Sequence, residues 1–310
     1  MKAKYTAILM ALVPDTRAYI SVKNPQMEDS TSCTIWLLQI LGYIPIPFRK
    51  PKSPFRKWNS SITGEAWSFL RLKSVFRRTV MLMKSEHRKE LVSEIRSLAQ
   101  SQGLNTVFTT FLEIAANSLA AQTDPENAEK REQRYQEMAS TMTPELLSSY
   151  ARMLALLFLT VREYRDDPCD ILGGIYHELN LNNEWNGQYF TPDDVCRLMA
   201  QITLPSDELS AKDGPITINE PTCGSGTMVI GAIWAMQRKE FDYRHNTFFV
   251  AQDIDIRCVW MAYIQLSLYG IPAMVIHGNT LTMEEWDRWY TPYALVPFSK
   301  AQSEDGDIAV

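Results

Sequence analysis

The sequence predicts an α/β fold in which a helical N-terminal region precedes a partial Rossmann-like domain. Residues 85–183 repeat apolar side chains at helical spacing. After Pro215, short apolar runs alternate with apolar helical segments in the order β-α-β-α-β, which is typical of a parallel, doubly wound sheet. The predicted domains are 1–84, a basic region that is irregular or contains strands, then 85–183, which is helical, and 184–310, the α/β part.

The composition of the 310-residue chain is that of a globular protein, with 45% apolar and 22% charged residues, and it excludes a wholly disordered chain or a coiled-coil rod. The net charge of −5 requires any DNA contact to come from a local basic patch. The five cysteines are scattered without a C-x-x-C pair, which predicts free thiols in a reducing cytoplasm and no metal site. No apolar stretch approaches the ~20 residues that a membrane span requires, so no membrane partner is expected.

Helix boundaries can be placed within the helical region. Gly103 suits the end of a first helix, whereas Pro125 and Thr143-Pro144 suit the starts of later helices. Asp167-Pro168 is expected to end the long apolar helix that follows Thr143.

In the α/β region we predict three strands, at residues 216–220, 248–251 and 273–276. Helices are expected to follow the first two strands. No strand is expected over residues 284–289, because charged and aromatic residues replace a β-like run there.

Residues 49–78 contain nine basic residues and one acid, with aromatic residues among them. Two interpretations remain open. In one, Arg56, Lys57, Arg77 and Arg78 contact nucleic-acid phosphates while the aromatic rings stack on bases. In the other, the charges form a solvated face and the rings point into the core.

Three motifs place glycines and polar residues at turns of the α/β region. The run 220–226, Glu-Pro-Thr-Cys-Gly-Ser-Gly, lies where a strand turns into a helix and suits either close backbone approach to a ligand or a tight turn alone. Asp253 follows the second strand, where an acid can bind both hydroxyls of a ribose or cap a helix. In the run 187–192, Gly-Gln-Tyr-Phe-Thr-Pro, Thr191 suits a helix N-cap and Pro192 a first helical residue. Together, the glycine-containing run 220–226 and Asp253 favour a ligand that carries a nucleoside.

Taken in order, the run 170–173, Asp-Ile-Leu-Gly, and the motifs 187–192 and 220–226 resemble the modification subunit of type I restriction–modification systems. That family consists of N6-adenine DNA methyltransferases. The resemblance covers roughly residues 140–285. It implies a partial S-adenosylmethionine-dependent methyltransferase domain, S-adenosylmethionine as cofactor, DNA as a partner, and a role in restriction–modification or in defence against phage and mobile elements.

The resemblance also implies which residues contact the cofactor. Thr191 and Pro192 would contact its methionine part, Asp253 its ribose, and Asn279 its adenine amino group, although the family usually has Asp at that last position. The floor of the pocket would be formed by Glu220, Thr222, Gly224 and Gly226.

The sequence departs from the family because it lacks an Asn-Pro-Pro-Phe/Tyr motif, whose Asn accepts the hydrogens of the target amine and whose aromatic ring stacks on the flipped base. The nearest stretch is Tyr290-Thr291-Pro292-Tyr293. Thr291, Pro292 and Tyr293 are therefore the nearest catalytic candidates.

The residues after Pro215 suffice for about half of a Rossmann-like sheet, so residues 1–48, residues 285–310 or a partner chain are expected to complete it. A specificity or restriction subunit is one such partner. Two functions remain open: an enzyme that methylates DNA adenine with a partner's help, or a catalytically inactive module that binds cofactor, DNA or a partner as a regulator or decoy.

Overall fold

The computed structural model describes residues 86–124, 126–181, 190–204 and 215–295. The chain divides into two compact units, Met1–Glu90 and Leu91–Val310. The basic stretch at 49–78, including Arg56, Lys57, Arg77 and Arg78, lies outside the described residues, as does Pro125. The predicted division at 84 and 183 therefore stays a prediction.

Within the described residues, six helices precede the first strand. They are α1 Glu86–Gln102, α2 Leu104–Thr123, α3 Ala128–Ser140, α4 Pro144–Glu163, α5 Ile171–Glu178 and α6 Asp193–Thr203. The predicted boundaries at Gly103 and Thr143 are confirmed. Gly103 separates α1 from α2, and the Thr143 hydroxyl accepts the Leu146 N–H at 3.3 Å to cap α4.

The helices pack into one apolar core. Helix α2 contacts α3 and α4, and buries Val107, Phe111 and Leu112 completely. Helix α4 buries Met153 and Leu157 on the facing side. The expectation that no apolar stretch approaches the length of a membrane span is wrong for α4, which by length and composition alone could cross a membrane, although core helices of soluble proteins can have the same length and composition.

The α/β part contains a four-stranded sheet in the order β1-β2-β3-β4. Its strands are β1 Ile216–Glu220, β2 Thr247–Asp253, β3 Ala273–Asn279 and β4 Glu284–Tyr290. Helix α7, Thr227–Arg238, and the short α8, Tyr243–Asn246, connect β1 to β2, and α9, Ile256–Tyr269, connects β2 to β3. The first three strands are parallel, which confirms the predicted α/β fold.

The expectation that residues 284–289 form no strand is wrong, because β4 pairs antiparallel with β3. An edge strand tolerates charged residues, and alternation places Asp287 and Trp289 on the same side of the hairpin. Trp289 is 2% exposed and lies against Tyr263 of α9, with ring centroids 5.3 Å apart. The packing of Asp287 and Trp289 thus replaces the apolar run that usually marks a strand.

Arg131 of α3 fixes β4 to the helical region. Its guanidinium donates to both carboxylate oxygens of Asp287 at 2.7 and 2.9 Å and to the Arg288 carbonyl at 2.7 Å. It also lies 3.5 Å from the centre of the Trp289 ring and reaches Asp124 at 3.4 Å. Burial alone would raise the pKa of Asp287, but the hydrogen bonds and charges of Arg131 and Lys130 hold that pKa below its ordinary value.

At the other edge, β1 hydrogen-bonds to β2 on one side and to no strand on the other within the described residues. Helix α6 packs against α7 and buries Cys196 and Ala200, with Cys196 against Gly231 of α7. A second stripe of α6 is apolar yet 43–72% exposed, and it consists of Val195, Leu198, Met199 and Ile202. We call these four residues the α6 stripe.

Replacing Arg131 by Ala should lower the free energy of unfolding by about 3–5 kcal/mol, because Asp124 and Asp287 lose a buried partner. Urea unfolding measures this change. Since the pKa of Asp287 is depressed, the difference from the wild type should be present at pH 7 and should shrink as pH falls below about 4.

The matched control is Arg134→Ala on the same helix, which removes a half-exposed ion pair with Glu113 and should cost at most about 1 kcal/mol. Equal losses in the two variants would contradict the role of Arg131.

Candidate functional site

Six of the predicted site residues lie together at the carboxyl ends of the parallel strands. Glu220 ends β1, Asp253 ends β2 and Asn279 ends β3, and the carboxyl ends of parallel strands lie side by side. Thr222, Gly224 and Gly226 lie in the turn between β1 and α7. The hydroxyl of Thr280 donates to the Pro221 carbonyl at 2.6 Å, which ties the turn after β3 to the turn after β1.

The turn after β1 ends at the N-terminus of α7. Gly226 is the N-cap, and its φ of +96° is a conformation that favours glycine. No side chain caps the first turn of this 12-residue helix. The unpaired N–H groups and the positive end of the helix dipole therefore suit a carboxylate or another negative group at this edge.

Asp253 is held against the glycine turn. Its Oδ2 accepts the Gly224 N–H at 2.9 Å, and its Oδ1 accepts the Asp255 N–H at 2.9 Å. Burial raises the pKa of Asp253, while these backbone hydrogen bonds oppose the rise. Each carboxylate oxygen has two lone pairs, so Asp253 can also accept hydrogen bonds from ribose hydroxyls.

Glu220 and Asn279 organise the turns on which they lie. Glu220 Oε1 accepts the Thr222 N–H at 3.2 Å, and Asn279 Oδ1 accepts the Leu281 N–H at 3.0 Å. An Asx-type turn of this kind accepts Asn as readily as Asp, so the substitution at 279 leaves the turn intact. Next to Asp253, Ile254 is 59% exposed and supplies an apolar surface that sequence reasoning missed.

The run 187–192 reaches the glycine turn through Phe190. A Cβ on Gly224 would lie 2.9 Å from the Phe190 ring, so the ring covers that residue closely. The ring also lies 5.3 Å from both Tyr176 and His177, between centroids. Residues 187–189 lie outside the described residues. Phe190 belongs to the run 187–192, but the sequence pattern did not predict its contact with Gly224.

The prediction that Thr191 caps α6 is wrong by one residue. The helix begins at Asp193, and Pro192 is the N-cap with an extended ψ of 141° and no capping side chain. The Pro192 carbonyl accepts the Val195 and Cys196 N–H groups at 3.0 and 3.1 Å. Pro192 therefore lies one position before the helix and is not its first residue. Both Thr191 and Pro192 are exposed.

The catalytic candidates Thr291, Pro292 and Tyr293 lie at the opposite end of the sheet. Because β4 is antiparallel to β3, its last residue is next to the first residues of β3. The Thr291 hydroxyl donates to the Ile271 carbonyl at 2.7 Å and accepts the Ala273 N–H at 2.9 Å. All three residues are buried, and the segment holds the end of β4 to the start of β3, away from Asp253.

The buried thiols are poor candidates for chemistry. Burial raises the pKa of Cys169 to about 12 and that of Cys196 to about 11, and it raises the pKa of Cys223 well above its ordinary value. Over the described parts of the chain, no cluster of three His, Cys, Asp or Glu residues is arranged to hold a metal ion.

Comparison with known proteins shows which family this part of the chain resembles. Residues 168–304 match the family model described as N-6 DNA Methylase, and the resemblance inferred from the three motifs is thereby confirmed for this part of the chain.

The chain is similar to methylase subunits of type I restriction systems. Over 161 residues the chain is 22% identical to the methylase subunit of the type I restriction enzyme MpnII from Mycoplasma pneumoniae, a match that covers 49% of this chain and 28% of that protein. A solved type I restriction–modification methyltransferase subunit from Streptococcus thermophilus matches 64% of this chain and 40% of its own, with 18% identity and a TM-score of 0.34. The match thus spans less than half the length of each relative.

Proposed function

We propose that the chain binds S-adenosylmethionine at the carboxyl edge of β1, β2 and β3 and takes part in N6-adenine methylation of DNA in the cytoplasm, within a restriction–modification or mobile-element defence system. The observation that carries the proposal is the contact of the Asp253 carboxylate with the Gly224 N–H, directly beside the uncapped N-terminus of α7. The cofactor would supply an activated methyl group to this site.

The residues present fit the three parts of that cofactor. Asp253 would accept hydrogen bonds from the ribose hydroxyls. The positive end of α7 and the segment Thr191-Pro192 would hold the amino-acid part, whose carboxylate suits a helix N-terminus. The turn at Asn279 and the exposed side chain of Ile254 would flank the adenine ring. Glu220 and the glycine turn would form the floor.

Replacing Asp253 by Ala should weaken S-adenosylmethionine binding at least about tenfold, or ~1.4 kcal/mol, because both ribose acceptors are removed. Isothermal titration calorimetry measures the change. Asp242→Ala is the control, since it removes an exposed carboxylate that pairs with His245 before the amino end of β2. Absence of binding by the folded wild type would contradict the cofactor assignment.

We further propose that a partner chain, such as a specificity or restriction subunit, completes the sheet beside β1. In doubly wound sheets the ligand crevice lies where the strand order reverses, and the order β1-β2-β3 runs in one direction only from β1. Two observations support this proposal: among the residues that the structure describes, β1 has a strand on one side only, and the α6 stripe is exposed. Such a neighbour would supply the second wall of the crevice.

The purified chain alone should therefore bind S-adenosylmethionine but transfer little or no labelled methyl to adenine in duplex DNA. The physical reason is that the described residues would provide one wall of the crevice, and the sequence contains no Asn-Pro-Pro-Phe/Tyr motif to bind the adenine amine. Scintillation counting of the DNA, beside a binding measurement on the same sample, tests this prediction. Robust transfer by the isolated chain would refute it.

A second candidate function is a catalytically inactive module that binds cofactor, DNA or a partner as a regulator or decoy. The buried, structural position of Thr291, Pro292 and Tyr293 favours it, because the nearest stretch to an Asn-Pro-Pro-aromatic motif lies at the wrong end of the sheet. Methyl transfer that stays absent with the specificity and restriction subunits of a type I system present would favour this function over the enzyme.

For DNA, we propose that the basic stretch 49–78 contacts phosphates. Neutralising Arg56, Lys57, Arg77 and Arg78 together should weaken binding to duplex DNA and reduce its salt dependence. The slope of the logarithm of the binding constant against the logarithm of the salt concentration should fall in magnitude by ~0.9 for each phosphate contact that is lost. Fluorescence anisotropy between about 50 and 200 mM salt measures both effects.

A control variant neutralises four basic residues on the helices of the other region. These are Arg96, Lys130, Arg152 and Arg162. Equal effects in both variants, or affinity that ignores salt, would rule out the basic stretch as the DNA contact.

A further inference from the structure

Asp170, which precedes α5, places a carboxylate among four hydrogen-bond donors. The residue is 8% exposed. Its Oδ1 accepts the Gly173 N–H at 2.8 Å and the Gln265 amide at 2.9 Å. Its Oδ2 accepts the hydroxyl of Thr227 at 2.7 Å and the hydroxyl of Ser225. One oxygen therefore caps α5, and the other holds the two hydroxyls that flank Gly226.

Gln265 of α9 completes this cluster. Its side chain is buried, and its Oε1 accepts the N–H groups of Ile171 and Leu172 at 2.8 and 2.9 Å. Its Nε2 donates to the Ser225 carbonyl at 2.8 Å as well as to Asp170. The glycine turn is thus bound through both the backbone and the side chain of Ser225.

The cluster also reaches the start of α6. Asp193, the first residue of that helix, accepts the Asp170 N–H through Oδ1 at 3.0 Å. Thr191 and Pro192 come directly before it. Asp170 therefore bonds to the two chain segments that are proposed to hold the amino-acid part of the cofactor.

The run 170–173 has a steric requirement that matches this arrangement. A Cβ on Gly173 would lie 2.0 Å from Asp170 Oδ2, so a side chain at this position would displace the carboxylate from Ser225 and Thr227. A helix cap alone would need only Oδ1. The second oxygen and the space beside Gly173 serve the glycine turn.

We propose that Asp170 is a positioning residue for the cofactor site: through Ser225 and Thr227 it holds the glycine turn, and through Asp193 it sets the start of α6 against that turn. The inference rests on the proposed binding of S-adenosylmethionine. Asp170 acts through these residues, since its own oxygens are occupied by the donors described above.

The test compares Thr227→Val, which removes one hydroxyl from Asp170 with little change in shape, with Thr227→Ser, which keeps the hydroxyl. Thr227→Val should weaken S-adenosylmethionine binding about fivefold in calorimetry, because a buried acceptor loses a donor. Thr227→Ser should stay within about twofold of the wild type. Asp170→Asn combined with Thr227→Val should give less than the product of the two single effects, since both remove the same hydrogen bond.

Hydrogen exchange without cofactor supplies a readout that general destabilisation does not reproduce. In Thr227→Val, amides of residues 224–228 should exchange about tenfold faster while those of α4 keep their rates. Leu157→Ala is the control, because it opens the core of α4, far from the turn in the chain, and should leave cofactor affinity unchanged well below its Tm.

Wild-type affinity in Thr227→Val, or an equal loss of affinity in Leu157→Ala, would overturn the positioning role while leaving the proposed function standing. Absence of binding by the wild type would overturn both. Faster exchange confined to the turn, together with rescue by Thr227→Ser, would support the role.

Discussion

A carboxylate that leaves water must receive hydrogen bonds, and the architecture around the site depends on how Asp170 receives them. Its donors come from α5, from the turn before α7 and from α9, and its own N–H is taken by the start of α6. Four segments that are distant in sequence are thereby held in one geometry. Removing any one of these donors would leave a buried carboxylate with an unsatisfied acceptor, which costs free energy.

Beside β4, a buried positive charge, the Arg131 guanidinium, is also stabilised by its hydrogen-bond partners. Arg131 is 2% exposed and places its guanidinium between Asp124 and Asp287 while it covers the Trp289 ring. This pairing anchors an edge strand whose sequence is mostly charged and aromatic. The helical region is thus part of the α/β unit, since α2 and α3 cover β4 and α9.

The two edges of the sheet differ in their consequences. Beyond β3 the sheet is closed by β4 and covered by the helical region, so no parallel strand follows there. At β1 the described residues leave an open edge. The candidate site is formed at the carboxyl ends of β1, β2 and β3. The proposed cofactor site would thus use the carboxyl ends of the strands, whereas the proposed partner chain would use the side of β1.

Local patterns were sufficient for much of the fold and part of the site. Apolar runs and turn residues predicted β1, β2 and β3, and strand order along the chain placed Glu220, Asp253 and Asn279 at one edge, because parallel strands share their carboxyl ends. The strand β4 was missed, since its pattern becomes intelligible only beside Arg131 and Tyr263. The cap of α6 shifted by one residue for a similar reason, because Asp193 is engaged by Asp170.

What the sequence by itself determined is the class of fold, the family motifs and the identity of the residues at the strand ends, because these follow from local periodicity and short spacing. Only the tertiary structure decided the roles of Asp170, Gln265 and Phe190, and the displacement of Thr291 from the site. Those roles arise from contacts between segments separated by up to 95 residues, as for Asp170 and Gln265, and no local pattern encodes which distant donor meets a buried acceptor.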